Sequence, residues 1–307
     1  VVIAAIHSIV TATTRRVIPN LWTIRSSTFG TSTINDVAYG AGRYIAVGDS
    51  GKMSTSVDGG VTWSVVTSPF GTSAVRSIYY GNNLWVAAGS SGKLATSTTG
   101  TSWTLRTSSF GTTAILSVSY GDDGWVAAGA SGKLATSSDG LSWTQRTSSF
   151  GTTFIYGLSY GDGYWLAVGD TGKLATSSVK EGPWTQRTSS FGTDRIYSAA
   201  HSDSGLAVVV GDGGKVAVST DGIVWTQQAN TFSGSLIYGV DFGGFGVFLA
   251  VGASGKASSS RTGSASNESW AQRNTNFGST AIRASAFGSL EWVAVGELGT
   301  IATATRQ

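Results

Sequence analysis

The stretch Ala114-Ile-Leu-Ser-Val-Ser-Tyr120-Gly-Asp-Asp-Gly-Trp125-Val-Ala-Ala-Gly129-Ala-Ser-Gly-Lys133-Leu-Ala-Thr-Ser137-Ser-Asp139-Gly140-Leu-Ser-Trp143-Thr-Gln-Arg146-Thr147-Ser-Ser-Phe150 decides the fold. Ala114 to Tyr120 alternates, is rich in β-branched residues and ends at Gly121. Trp125 to Gly129 is a second apolar run, and Lys133 to Ser137 a third, after the turn Ala130-Ser131-Gly132. Trp143 to Thr147 is the fourth, after Ser138-Asp139-Gly140. Runs this short, punctuated by Gly and Asp-Gly, are strand and hairpin signals. No segment of the chain sustains a 3.6-residue apolar period, so helices are expected to be absent or brief.

The stretch is one copy of a repeat. Arg106 to Thr113 and Arg146 to Thr153 are identical, and Gly-Lys-Leu-Ala-Thr-Ser starts at Gly92, Gly132 and Gly172. A Trp closes each unit, at Trp22, Trp63, Trp103, Trp143, Trp184, Trp225 and Trp270, with spacings of 41, 40, 40, 41, 41 and 45. A Phe follows each Trp by seven residues, from Phe29 to Phe277. Four short strands in a unit of about 40 residues make a propeller blade. The expected fold is all-β, a seven-bladed β-propeller with four antiparallel strands per blade. The last unit supplies Ala281–Phe287, Trp292–Gly296 and Thr300–Thr305 and then stops one strand short. Trp22 to Arg25 at the other end carries the missing Trp and Arg. An N-terminal strand completing the last blade closes the ring and pairs edges that are otherwise a liability. Residues 21–307 therefore read as the propeller and residues 1–20 as an N-terminal arm.

Composition narrows the chemistry. Of 307 residues 40% are apolar, enough for a core, and only 12% are charged, about half the usual share. There is no Cys, which excludes disulfides and thiolate chemistry, and His7 and His201 are too few for a His-rich metal site. No apolar run approaches the roughly 18 residues that span a membrane. Few charges with abundant Ser, Thr and Gly suit an extracellular or virion surface.

Ser56-Val-Asp58-Gly-Gly60-Val-Thr-Trp63 resembles the Asp-box, the S-x-D-x-G-x-T-W turn of bacterial sialidase repeats. Shorter versions join Asp139 to Trp143 and Asp221 to Trp225, while Thr99 replaces the Asp before Trp103. Tyr44-Ile-Ala-Val-Gly-Asp-Ser-Gly-Lys52 is similar to photosystem II assembly-factor-like propellers, and similar repeats occur in surface and phage tail proteins. The resemblance implies a structural role for Asp58, Trp63, Asp139, Trp143, Asp221 and Trp225. It does not extend to a sialidase active site. That family sets three Arg on the substrate carboxylate, with a Tyr–Glu pair and an Asp acid. Here Arg25, Arg106, Arg146, Arg187 and Arg273 each follow a blade Trp by three. A repeated Arg is explained by blade structure. Glu181 and Glu268 fall in hairpin insertions on the face opposite to the one where propellers usually place catalysis. The sequence nominates no nucleophile and acid that converge in one pocket, and hence no catalytic residue, metal or cofactor.

Two repeated features are expected to share one face. One is Thr-Ser-Ser-Phe-Gly-Thr, as at Thr147 to Thr152. The other is the Gly-Lys turn, with Lys52, Lys93, Lys133, Lys173, Lys215 and Lys256, preceded in three units by Asp49, Asp170 and Asp212. Hydroxyls, an aromatic face, a cation and a carboxylate around one groove suit a sugar, which offers hydroxyl pairs and an apolar C–H face. The alternative is packing: Lys as a solvated turn residue and Phe as a plug between blades. Nucleic acid is not expected, because phosphate binding would need stacking aromatics beside the Lys ring. The second positions of the inner strands vary: Asn35, Arg76, Leu116, Tyr156, Tyr197, Tyr238 and Arg283. Variation inside a regular repeat is where a unique function can sit, and drift at a wet channel accounts for it equally.

The arm begins Val1-Val-Ile-Ala-Ala-Ile-His-Ser-Ile-Val10, with no basic n-region and no initiator Met, so it does not read as an intact signal peptide. An uncovered β-branched strand tends to pair, and a neighbouring subunit or partner protein is the expected cover. The whole reads as a non-enzymatic recognition or attachment propeller in a phage or cell-surface assembly, with surface glycans as ligand. An assembly scaffold is the alternative, and a sialidase-like enzyme a third reading.

Overall fold

The computed structural model describes residues 21–243, 246–261 and 270–304. The arm, Glu268 and the end of the last strand beyond Ala304 lie outside them. The chain is a seven-bladed β-propeller: seven four-stranded antiparallel sheets, each taking its strands in chain order except the last. Blade 3 is Ile115–Gly121, Gly124–Gly129, Leu134–Ser137 and Thr144–Arg146. The strands start within about a residue of the sequence expectation, and the shifts have causes. Lys133 stays outside the third strand because its N–H closes a 3-10 turn on Ala130 O at 3.2 Å. Trp143 stays outside the outer strand because its indole N–H serves the preceding turn, donating to Gly140 O at 3.0 Å.

The apolar second strands explain why blades stack. Val126, Ala127 and Ala128 are fully buried, so the strand is covered on both faces. Each core cluster crosses a blade boundary. Val86, Ala88 and Leu94 of blade 2 pack with Ile115, Val118, Trp125 and Trp143 of blade 3. The approach is close enough to demand glycine. Gly132 sits at φ +61°, and a Cβ there would stand 2.1 Å from the Gly151 carbonyl oxygen of the next crossover loop. Hydroxyls add to the join, with Ser108 Oγ donating to Gly92 O at 2.5 Å and Ser148 Oγ to Gly132 O at 2.6 Å.

Ring closure follows the expected route. Trp22–Arg25 pairs antiparallel with Ile301–Ala304, Trp22 opposite Ala304 and Arg25 opposite Ile301. Trp22 is buried in the last blade's cluster. The repeated Arg are internal latches: Arg25 Nε donates to Thr303 Oγ1 at 2.9 Å, and Arg106, Arg146 and Arg187 do the same to Thr96, Thr136 and Thr176.

The turns between third and outer strands run on their Asp. Asp58 accepts from Thr62 N at 2.9 Å and from Thr62 Oγ1 at 2.6 Å, and Trp63 Nε1 donates to Gly60 O at 2.8 Å. Those bonds from Thr62 hold the Asp58 carboxyl down at about 2. Asp139 and Asp221 repeat the arrangement, each lowered by two backbone N–H donors. In blade 4, where an insertion replaces the turn, the buried Trp184 Nε1 has no protein acceptor.

Removing residues 1–27 deletes one strand of the last blade and its Trp22 plug. The melting temperature should fall by more than 10 °C, and Trp22→Ala in the full chain should cost about 3–5 kcal/mol; a truncated chain as stable as the full one would refute the clasp. Asp139→Ala should cost on the order of 1 kcal/mol by urea titration, through loss of the Leu141 and Ser142 amide bonds.

Candidate functional site at the channel mouth

The six lysines point at the crossover loops. Lys52, Lys93, Lys133, Lys173, Lys215 and Lys256 donate from Nζ to the carbonyls of Phe29, Phe70, Phe110, Phe150, Phe191 and Phe232, at 2.6 to 3.0 Å. Those Phe rings are among the largest fully buried side chains. The aromatic face that a sugar groove beside each Lys requires is therefore not available: the rings plug the blade junctions. Lys215 also pairs with Asp194 at 2.8 Å, and blade 7 has Thr300 in place of Lys.

The three Asp of the same turns lean the other way, into the channel mouth. Asp49 accepts from Asn35 Nδ2 at 3.0 Å and stands 3.4 Å from Arg76 Nη1. Asp170 accepts from Tyr156 Oη at 3.2 Å and Arg195 Nε at 3.0 Å. Asp212 accepts from the Arg195 backbone N–H at 3.3 Å. The structure thus separates the expected groove set, leaving lysines on carbonyls and bringing carboxylates to the variable inner-strand residues.

Those variable residues owe their aim to a bulge. In every inner strand the register shifts at the second position, between Ile115 and Ser117 in blade 3 and between Ile282 and Ala284 in blade 7. The residue between is unpaired, and bulges of this kind re-aim side chains. Asn35, Arg76, Leu116, Tyr156, Tyr197, Tyr238 and Arg283 consequently ring a recess of about 410 Å³. One arc is aromatic. Phe154 meets Tyr156 at 5.9 Å between centroids, Tyr156 meets Tyr197 at 5.4 Å and Tyr197 meets Tyr238 at 5.7 Å. The Arg283 guanidinium lies 4.2 Å from the Tyr238 centroid and is tied by Glu297. Blades 7, 1 and 2 supply the polar arc, Arg283, Asn35 and Arg76. Burial, then Asp170, pushes the Tyr156 phenol up to about 12, so it stays a hydroxyl at neutral pH.

Asp36, Tyr79 and Asp241, from the same inner strands, also line the channel. Asp36 accepts from Val37 N at 2.8 Å and from Ile78 N of the next blade at 2.9 Å, the role Ser77 plays toward Val118 N. Both Asp line the channel half-buried, and desolvation pushes each carboxyl up to about 7. His201, bonded through Nδ1 to Ser159 Oγ at 2.8 Å, is pushed down to about 4 by burial. Among the described residues no three His, Asp or Glu gather to hold a metal ion, and no helix is long and apolar enough to cross a membrane.

Arg195, Phe154, Glu297, Asp36, Tyr79 and Asp241 were not singled out by the sequence. The available signal was departure from the blade consensus, which the second positions showed and the flanking ones share.

A seven-bladed ring with an asymmetric, aromatic-and-arginine channel mouth defines the class. Similar solved structures include YCF48 bound to D1 peptide, with a TM-score of 0.75, 16% identity and coverage of 95% of this chain and 96% of that one. Virginiamycin B lyase from Staphylococcus aureus has a TM-score of 0.80 at 10% identity, covering 92% and 99%. The WD40 propeller domain of Doa1 has a TM-score of 0.74 at 11% identity, covering 94% and 98%. At these identities the likeness is one of fold, shared by an enzyme and by two propellers not named as enzymes. No protein-family model and no curated protein matches the sequence.

The two channel Asp set a pH dependence. Unfolded, they titrate near 3.9; folded, at about 7. The folded chain holds more protons between those values, so their contribution is complete below pH ~4 and lost as pH rises through 7. His201 acts oppositely between about 4 and its ordinary 6.5 and offsets one of the two. The urea midpoint should therefore fall from about pH 6 to about pH 8, and Asp36→Asn with Asp241→Asn should abolish that fall.

Proposed function

We propose that the chain is a non-enzymatic recognition propeller that seats a surface glycan at the channel mouth, within an extracellular or virion-surface assembly. The observation that carries the reading is the break in symmetry. The repeat is nearly uniform at the blade junctions, yet at the bulged second positions it gives three consecutive tyrosines facing two arginines and an asparagine. Tilted rings 5.4 and 5.7 Å apart form a curved shelf for the C–H face of a sugar. Arg76 pairs with Asp49 and Arg195 with Asp170, leaving donors and acceptors at its rim for hydroxyl pairs. Each of these carboxylates is committed to a guanidinium, which suits binding more than acid catalysis. The low charge and the Ser, Thr and Gly content support the surface setting.

An assembly scaffold is the second reading, favoured by the likeness to a propeller solved with a bound peptide. An extended protein segment would then occupy the same shelf.

On a glycan array the full chain should bind a restricted set of glycans. Tyr197→Ala should weaken that binding about tenfold, the size of one aromatic contact, and Asp139→Ala on the opposite face should leave it unchanged. A silent array, with co-purification of one large complex, would replace this reading with the scaffold.

A further inference from the structure

Most of the bulged residues at the mouth are tied down within their own blade. Asn35 reaches Asp49, Tyr156 reaches Asp170 and Arg283 reaches Glu297, each partner lying 14 residues on and opening the turn between the second and third strands. Tyr197 is held in the same way, by Asp212 with Arg195. Blade 6 breaks the pattern. Its bulged residue is Tyr238, and the corresponding turn opens on Ala253, which has no side-chain acceptor. The Tyr238 ring is nevertheless well placed. It lies 5.7 Å from the Tyr197 ring and 4.2 Å from the Arg283 guanidinium, and it lines the recess. Among the described residues none bonds its hydroxyl. The fold thus positions this phenol through its ring and leaves the oxygen unused, whereas the oxygens of Tyr156 and Tyr197 are spent inside the protein.

The charges at the mouth narrow what that oxygen can meet. The guanidiniums of Arg76, Arg195 and Arg283 each face a carboxylate already, and Asp212 adds a fourth. The lysines stand on the crossover carbonyls instead. A carboxylate, sulfate or phosphate entering the recess would find these guanidiniums compensated and would approach four like charges, an arrangement that selects against it. A sugar hydroxyl carries no such penalty, and it both donates and accepts, as a phenol does. We propose that Tyr238 sets the specificity of the mouth, its hydroxyl bonding one hydroxyl of a neutral sugar, while Tyr156 and Tyr197 supply ring surface alone. The assignment rests on the glycan reading above and adds to it the ligand class and the residue that discriminates.

Tyr238→Phe keeps the ring and removes only the oxygen. On an array printed with neutral glycans and their sialylated and sulfated counterparts, the wild-type chain should bind neutral members. Tyr238→Phe should weaken that binding about five- to tenfold, the size of one hydrogen bond, and should level the preference between glycans that differ at a single hydroxyl. Tyr156→Phe and Tyr197→Phe should change binding less than twofold. Melting temperatures should show the reverse order: unchanged in Tyr238→Phe, lowered in the other two, which lose a bond within the protein. Wild-type binding with Tyr238→Phe indistinguishable from it would overturn the assignment and leave the glycan reading standing. Equal losses in all three variants, a preference for the acidic glycans, or a lowered melting temperature in Tyr238→Phe would overturn it as well. A silent array would remove the glycan reading and this assignment together.

Discussion

No blade of this protein can bury its own second strand. Val126 to Ala128 and their counterparts are apolar on both faces, so each sheet is stable only when a neighbour covers it on either side. The remaining features follow from that constraint. The core is divided among the seven junctions, glycines stand where a neighbouring ring or carbonyl comes too close for a Cβ, and the ring has to close. Closure by Trp22–Arg25 ties the two ends of the described chain into one sheet. Opening any junction then exposes two apolar faces at once.

The junctions also explain why so much conserved-looking chemistry within the repeat is structural. A Lys and a Phe in nearly every unit suit a binding groove when read as a list, whereas the repeated Arg already reads as blade structure. In the ring they are fasteners: ammonium to carbonyl, aromatic plug and guanidinium to hydroxyl. Repetition marks what every junction needs. A site that must recognise one asymmetric ligand has to sit where the units differ, and the bulge at the second inner-strand position offers such a place without disturbing the packing.

The channel stores a different property. Asp36 performs, with a carboxyl, the inter-blade bond that Ser performs at other junctions. A hydroxyl there is neutral at every pH, and a carboxyl is not. Partial burial of Asp36 and Asp241 in the channel raises their affinity for protons, which ties these two inner-strand groups to pH. The mouth carboxylates Asp49 and Asp170 face Arg76 and Arg195. Charge is thus compensated at the rim and proton-linked in the channel.

Fold class, blade number, strand order and the closing strand were legible in the sequence, because each is written in local patterns that recur at a fixed period: β-alternation, Gly turns, a Trp and then a Phe. The Asp58, Asp139 and Asp221 turns were legible for the same reason, since their bonds join residues no more than four apart. What the lysines and their partnering Asp do was decided only in three dimensions. Lys52 finds its acceptor 23 residues away on a crossover loop, and Asp49, three residues earlier, turns inward to Arg76 of the next blade. The tyrosine shelf joins residues 41 apart, one from each of three blades. The sequence set the side chains available at each position; the curvature of the closed ring decided which of them converge.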